Sequence, residues 1–211
     1  MALLSQFGSL AKSVRIEKKY GKIKLISHDP MLQWIGTGRS AVAFRIGETD
    51  LAIKVFLPEL DQTALEEAEI YRLLEGISYY PHLYESGANY LVMSYIDGMT
   101  LFDCLVNGVH ISKAYLDEVD KALQQASDRG LTPSDIHLRN ILMTNQGSVK
   151  LIDVARFRQV KEQDTQWEDL KRAYTIYEKR YFPKKISPFW LNQIAALYKR
   201  QLLPKFERKT S

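Results

Sequence analysis

Leu51-Ala52-Ile53-Lys54-Val55-Phe56 is the stretch that decides the fold. It has the apolar, β-branched and aromatic character of a strand, with one lysine set inside it. An ammonium is costly to bury without a partner. Lys54 therefore either faces water from a sheet edge or meets an anion in a cleft. Strand parity puts Leu51, Ile53 and Val55 on one face and Ala52, Lys54 and Phe56 on the other. The small Ala52 leaves room beside the lysine, which favours the cleft.

Upstream of this strand, residues 31–46 are also β in character, and Ile35-Gly36-Thr37-Gly38-Arg39-Ser40-Ala41-Val42-Ala43 holds two glycines one residue apart between two strands. Such a turn lets a ligand approach the backbone closely, and its N–H groups can face phosphate oxygens. A strand and not a helix follows, so it is not a dinucleotide-binding fingerprint; a plain hairpin turn is the simpler reading. Residues 14–27 read as a further hairpin about Tyr20-Gly21, preceded by a short amphipathic helix. Lys12 and Arg15 without acids would also suit a transit peptide, whereas the apolar run Met1–Leu4 is too short for a secretory signal.

Downstream, residues 62–75 switch to helix. Thr63 and Glu66 have capping-box spacing, and Leu65, Ile70, Leu73 and Leu74 form an apolar face. Glu66, Glu67 and Glu69 are the carboxylates available to Lys54. Glu69 is four residues from both Leu65 and Leu73, so helix phase selects Glu69 as the partner, although an acidic run of this kind is often only a solvated face. Strands follow in 81–98, then helices in 101–108 and 112–130, a short β pair (141–144 and 149–153), and two helices within 164–203 broken near Pro183 and Pro188.

The chain is thus β with one helix to about residue 97 and mostly helical afterwards. We expect an α+β fold of two unlike halves with a cleft between them, where ligands commonly bind. The boundaries are a helix and hairpin extension over 1–30, a β-rich part over 31–97 and a reduced helical part over 98–211.

Composition narrows the options. The 211 residues (24.4 kDa) carry 29 Lys and Arg against 25 Asp and Glu, a net charge of +4, and 45% are hydrophobic. A real core is affordable and wholesale disorder is not expected. The charge is too weak to mark a nucleic-acid binder. Cys104 is the single cysteine, so no internal disulfide forms, in keeping with a reducing, cytoplasmic setting. His28, His82, His110 and His137 are scattered without metal-site spacing. No run approaches the ~18 apolar residues of a membrane-spanning helix.

Two further segments carry polar groups where chemistry needs them. In Pro133-Ser134-Asp135-Ile136-His137-Leu138-Arg139-Asn140-Ile141-Leu142, Asp135 can take a proton from a hydroxyl and Asn140 can offer its carbonyl oxygen to Mg²⁺. Asp153 ends the apolar strand Leu151-Ile152, so Asn140 and Asp153 flank one short hairpin. Singly, these are a polar loop and a strand-end cap. Their joint order is far more specific.

Glycine hairpin, strand lysine, helix glutamate, Asp-x4-Asn loop and strand-end aspartate follow the order of the protein-kinase signatures. The sequence resembles a small bacterial serine/threonine kinase-like protein of the protein-kinase superfamily. It is more similar to the compact RIO-type kinases than to full-size eukaryotic ones, over about residues 31–170. The resemblance implies a two-lobed fold and phosphoryl transfer from ATP with Mg²⁺ to serine or threonine hydroxyls of a protein. It implies that Gly36 and Gly38 cover the phosphates, with Ala41 at the third glycine position. Lys54 would hold the α- and β-phosphates and pair with Glu69. Met93 takes the gatekeeper position, and the backbone of Ser94 to Ile96 would read adenine. Asp135 would be the catalytic base, and Asn140 and Asp153 the Mg²⁺ ligands.

The departures are informative. Pro133-Ser134 replaces the His-Arg before the catalytic aspartate, so no arginine is placed to receive a loop phosphate. Val154-Ala155 replaces Phe-Gly, and Ala resists the positive φ that Gly allows. No Ala-Pro-Glu follows, and only Val154 to Asp164 separates the metal aspartate from the next helix. Asp169 on that helix is the candidate brace for the catalytic loop. These losses imply a kinase that loop phosphorylation does not switch. His137, where protein kinases carry Lys, resembles the aminoglycoside- and choline-kinase-like loop, so a small-molecule kinase is the alternative, and a weakly active ATP-binding interaction module a third. The basic tail from Lys199 reads as a solvated helix end, or as a contact for ribosomal RNA or an anionic membrane.

Overall fold

A computed structural model describes residues 6–159 and 165–200 of the chain. It begins with α1 (Gln6–Ser13) and a hairpin of β1 (Arg15–Lys19) and β2 (Lys22–Ser27). Tyr20 and Gly21 at its tip have φ of 51° and 74°, the two positive angles that a tight two-residue hairpin turn requires.

An antiparallel five-stranded sheet follows. It comprises β3 (Leu32–Thr37), β4 (Ala41–Ile46), β5 (Leu51–Phe56), β6 (Leu83–Ser86) and β7 (Tyr90–Ser94), in the order β3-β4-β5-β7-β6. Its two faces bury different things, as the period of two demands. Val42, Phe44, Ile46, Ile53, Val55 and Val92 pack outward with Leu10 and Ala11 of α1 and, more loosely, with Ile16, Ile23 and Leu25 of the hairpin. The N-terminal segment is therefore the cover of the outer sheet face. The inner face sends Ala41, Phe56, Leu91 and Met93 into the larger core, with Ala52 packed against it.

α2 (Asp61–Leu73) lies on that inner side, entered through a 3-10 turn at Pro58–Leu60 with no side-chain cap; the Thr63 capping box does not form. Of the expected face, Ile70 and Leu74 are buried while Leu65 and Leu73 are exposed; Ala64, Glu67, Ala68 and Tyr71 turn inward with Ile70. The alanines decide the phase, because small side chains let the helix come close to the sheet, whereas a count of large apolar residues also draws in Leu65 and Leu73.

The second half is carried by α3 (Leu101–Asn107), α4 (Lys113–Asp128), α5 (Gln166–Tyr177) and α6 (Pro188–Lys199). β8 (Gly98–Thr100), β9 (Ile141–Thr144) and β10 (Val149–Leu151) form a small sheet in the order β10-β9-β8. β8 joins it where the backbone runs close: a Cβ on Gly98 would lie 2.3 Å from the Met143 carbonyl oxygen. Leu101, Cys104, Val119, Ala122, Ile141, Leu151 and Val154 belong to the same core as the inner sheet face. The fold is mixed α+β. No helix among the described residues is long and apolar enough to cross a membrane. The connection after Asp153 is described to Gln159; residues 160–164, the run Met1–Leu4 and the tail 201–211 lie outside the described residues.

Candidate active site

Lys54 points inward from β5, and its ammonium donates to both carboxylate oxygens of Glu67, at 2.7 and 2.8 Å. A third contact reaches Asp153 Oδ1 at 3.0 Å. The helix partner of Lys54 is thus Glu67, not Glu69 or Glu66. Glu67 is fully buried, whereas Glu69 faces outward and pairs with Arg158 at 2.5 Å. One signal could have found Glu67: Ala64, Glu67, Ala68 and Tyr71 share i, i+3, i+4, i+7 spacing, a stripe that suits close packing.

The electrostatics follow from this geometry. Burial alone pushes the Lys54 ammonium down, but Glu67 and Asp153 together outweigh it, so the net shift is upward and the amine stays charged. Burial pushes the Glu67 carboxyl up, and Lys54 only partly pulls it back. The Lys54 ammonium, against burial, holds Asp153 below the usual carboxylate range, and His137 and Arg39 add to this. Tyr71, one turn beyond Glu67 on α2, is also buried. Burial raises its phenol most, and the Glu67 and Asp153 charges add to this.

Asp135 and Asp153 both have φ of 61°, a left-handed conformation that is uncommon outside glycine and tends to mark functional sites. The Asp135 carboxylate is flanked by two guanidiniums, Arg156 Nε at 3.3 Å and Arg39 Nη2 at 3.4 Å. Arg39 comes from the turn holding Gly36 and Gly38, so that turn reaches across to the 133–142 loop. Neither arginine was singled out by its sequence context. Asn140 is buried, and its side-chain amide N–H donates to the Asp135 carbonyl oxygen at 3.2 Å. The Asn140 backbone carbonyl in turn accepts from Ile152 N–H at 2.9 Å, so the loop and the strand before Asp153 are stitched together. Ser134 donates to the Arg156 carbonyl oxygen at 2.6 Å. Asp169 does not brace this loop: it accepts from Thr165 Oγ1 at 2.9 Å and from the Tyr198 hydroxyl at 2.8 Å.

The glycine turn closes through Gly38 N–H to the Ala41 carbonyl at 2.9 Å, and a Cβ at Gly36 would meet only open space. Met93 is buried on the inner face, in register with Ala52, beside the Lys54–Leu91 pair. Ser94 N–H donates to His82 O at 2.9 Å and Tyr95 N–H to Asp50 O at 2.8 Å. Ile96, half-buried, makes no hydrogen bond among the described residues.

A Bacillus subtilis (strain 168) protein named "Putative serine/threonine-protein kinase YrzF" is 46% identical over 208 residues, covering 96% of this chain and 95% of the relative. The chain belongs to this kinase-like family. No family model matches it. In a kinase-like chain a buried Lys–Glu pair that also touches a strand-end aspartate is a place where phosphate charge can be received. The donor set at the Asn140–Asp153 end is two hard oxygens, which suits Mg²⁺ completed by phosphate and water. Among the described residues no group of three or more His, Cys, Asp or Glu offers an all-protein metal cage.

Proposed function

We propose that this chain transfers the γ-phosphoryl group of ATP to a serine or threonine hydroxyl of a protein, its own chain included, with Mg²⁺. The observation that carries the reading is Lys54 held between Glu67 and Asp153. A lysine that was only structural would need one anion. This one has two, on different halves of the chain.

The roles follow. Lys54, fixed by Glu67, binds the α- and β-phosphates. Gly36 and Gly38 let the turn settle over the phosphates without a side chain in the way. Met93 walls the adenine site, and the Ser94 to Ile96 backbone supplies its polar edge, with the unpaired Ile96 N–H as donor. Asn140 and Asp153 hold Mg²⁺: the amide N–H bond to Asp135 aims the Asn140 carbonyl oxygen away from the loop. The ion, when bound, neutralises charge on the phosphate oxygens. Asp135 accepts the acceptor's hydroxyl proton as its oxygen attacks the γ-phosphorus, and ADP leaves with the electron pair of the broken P–O bond. Arg39 and Arg156, which now hold Asp135, supply cations beside the transferred group.

Residues 31–97 and 98–211 then act as the two lobes of a compact, RIO-like kinase in the cytoplasm. The buried Ser134, bound to the backbone of Arg156, takes the place of a phosphate-reading arginine, which fits a kinase that loop phosphorylation does not switch. His137, close enough to Asp153 to lower it, favours as second reading a small-molecule acceptor. The test is incubation with labelled ATP and Mg²⁺, with and without a generic basic protein. Labelled protein that disappears in Asp135→Ala and Asp153→Ala supports the first reading. Turnover stimulated only by small alcohols or sugars supports the second. Nucleotide binding without any transfer would overturn both.

A further inference from the structure

The last described helix presents an apolar stripe that is left exposed among the described residues. Its inner side is fixed: Leu191 is buried, Asn192 Oδ1 accepts from Arg139 at 2.9 Å, and the Tyr198 hydroxyl donates to Asp169 at 2.8 Å. On the other side Trp190, Ile194 and Leu197, spaced i, i+4, i+7, form one stripe. Trp190 is 62% exposed, its neighbour Phe189 60% and Ile194 50%. The connector leading into α6 adds Tyr181, 82% exposed.

The charge around this stripe is one-sided. Residues 179–200 contain Lys179, Arg180, Lys184, Lys185, Lys199 and Arg200 and no Asp or Glu. Lys184 is spent internally, donating to the Tyr177 carbonyl and lying 4.2 Å over its ring. Lys179, Arg180 and Lys185 are exposed, with no side-chain hydrogen bond or ion pair among the described residues.

We propose that α6 and the connector before it dock on an anionic lipid surface, lying in the interface without crossing it. Trp and Tyr favour the headgroup level. Aliphatic side chains flanked by unpaired cations match an acidic bilayer, which takes up apolar groups and attracts cations at once. Single-stranded RNA shares the negative charge and is held by stacking on aromatic rings; Phe189 and Trp190 pack edge-on against each other at 5.3 Å and the stripe continues with aliphatic Ile194 and Leu197, which suits hydrocarbon more than bases. The proposal does not depend on the phosphotransfer reading.

The test is co-sedimentation of the full chain with phosphatidylcholine vesicles, with and without one third phosphatidylglycerol. Binding to the acidic vesicles should exceed binding to the neutral ones about tenfold and fall with added salt. Trp190→Ser with Ile194→Ser, and separately Lys179→Glu with Lys185→Glu, change only exposed positions and should each reduce binding about tenfold, with unchanged far-UV circular dichroism. Equal binding to both vesicle types, no binding, or binding indifferent to both double variants would overturn the proposal. So would RNA retention lost in the same variants without lipid binding, or a dimer broken by Trp190→Ser with Ile194→Ser in a chain that ignores vesicles.

Discussion

Glu67 grips Lys54 with both carboxylate oxygens, at 2.7 and 2.8 Å, from a position that exposes no surface. Asp153 stays beside the Lys54 ammonium when Glu67 is removed, so the loss is that of a charge-assisted hydrogen-bonded partner, about 1.5–3 kcal/mol, and not that of an uncompensated buried charge. Glu67→Gln should therefore lower the melting temperature by about 3–12 °C in a domain of this size. Glu69→Gln breaks only an exposed pair with Arg158, worth at most about 1 kcal/mol. Thermal melts of the two variants side by side check this; a larger loss in Glu69→Gln would reverse the assignment of the lysine's partner.

The same pair sets a pH dependence. Glu67 has its folded-state pKa raised above the ordinary carboxyl value, so the folded state holds that proton more tightly than the unfolded state. Its contribution to stability is present below the unfolded pKa and is lost as pH rises through the folded pKa. Lys54→Met removes the cation that limits the shift, so the loss should grow and its window should move upward from the carboxyl range. Urea midpoints measured from pH 4 to pH 8 (the interval about which unperturbed carboxyl and His groups titrate) should show the gap between Lys54→Met and the parent chain widening with pH. A constant gap would mean that Glu67 is not the group left behind. The variant should also lose phosphotransfer.

What could be read in advance was what a rigid period fixes. The two faces of β5 follow from strand alternation, and the outward set Leu51, Ile53, Val55 packs apart from the inward Ala52 and Phe56. Helix α2 was harder, because two equally regular stripes compete and only packing against the sheet selects Ala64 and Ala68 over Leu65 and Leu73. The loop and strand bearing Asp135, Asn140 and Asp153 are stitched at Asn140 O and Ile152 N–H, which their closeness in sequence anticipated. The positive φ at Asp135 and Asp153 was not legible, since neither is glycine. Nor was the Arg39–Asp135 contact, which joins residues 96 positions apart.

That contact makes a prediction of its own. Arg39 is largely exposed, and its pair with Asp135 is long at 3.4 Å, so Arg39→Ala should alter stability by less than about 1 kcal/mol. If the guanidinium serves the transferred phosphate, kcat should fall about tenfold or more, as when a single charge-stabilising donor is removed. Initial rates with melts on the same samples separate the two. A rate that is unchanged or higher would make Arg39 only a latch on Asp135.

Thr165, the threonine nearest the short segment after Asp153, donates to Asp169 Oδ2 at 2.9 Å. A phosphate there would place its negative charge against a carboxylate and not against an arginine cluster, which disfavours ordering. Thr165→Glu should therefore leave phosphotransfer unchanged or lower. Rates of this variant against the parent chain check the expectation, and an increase of severalfold would show a loop-phosphorylation switch after all.

The N-terminal helix is predicted to be part of the folding unit. Leu10 is buried with Val42, Phe44, Ile53 and Val92 on the outer sheet face. Leu10→Ala should cost about 2–5 kcal/mol, since it opens a cavity against side chains that cannot all collapse into it. Tyr20→Ala, at the exposed hairpin tip, should stay within about 0.5 kcal/mol. Because the outer and inner faces of the sheet share the same strands, loosening one should loosen the strand that carries Lys54. Leu10→Ala should therefore reduce nucleotide binding at temperatures near its lowered melting point while binding normally well below it. Thermal melts with and without ATP check both halves of the claim: full stability in Leu10→Ala would mean that α1 is a detachable extension, and lost binding at all temperatures would mean that it acts on the site directly.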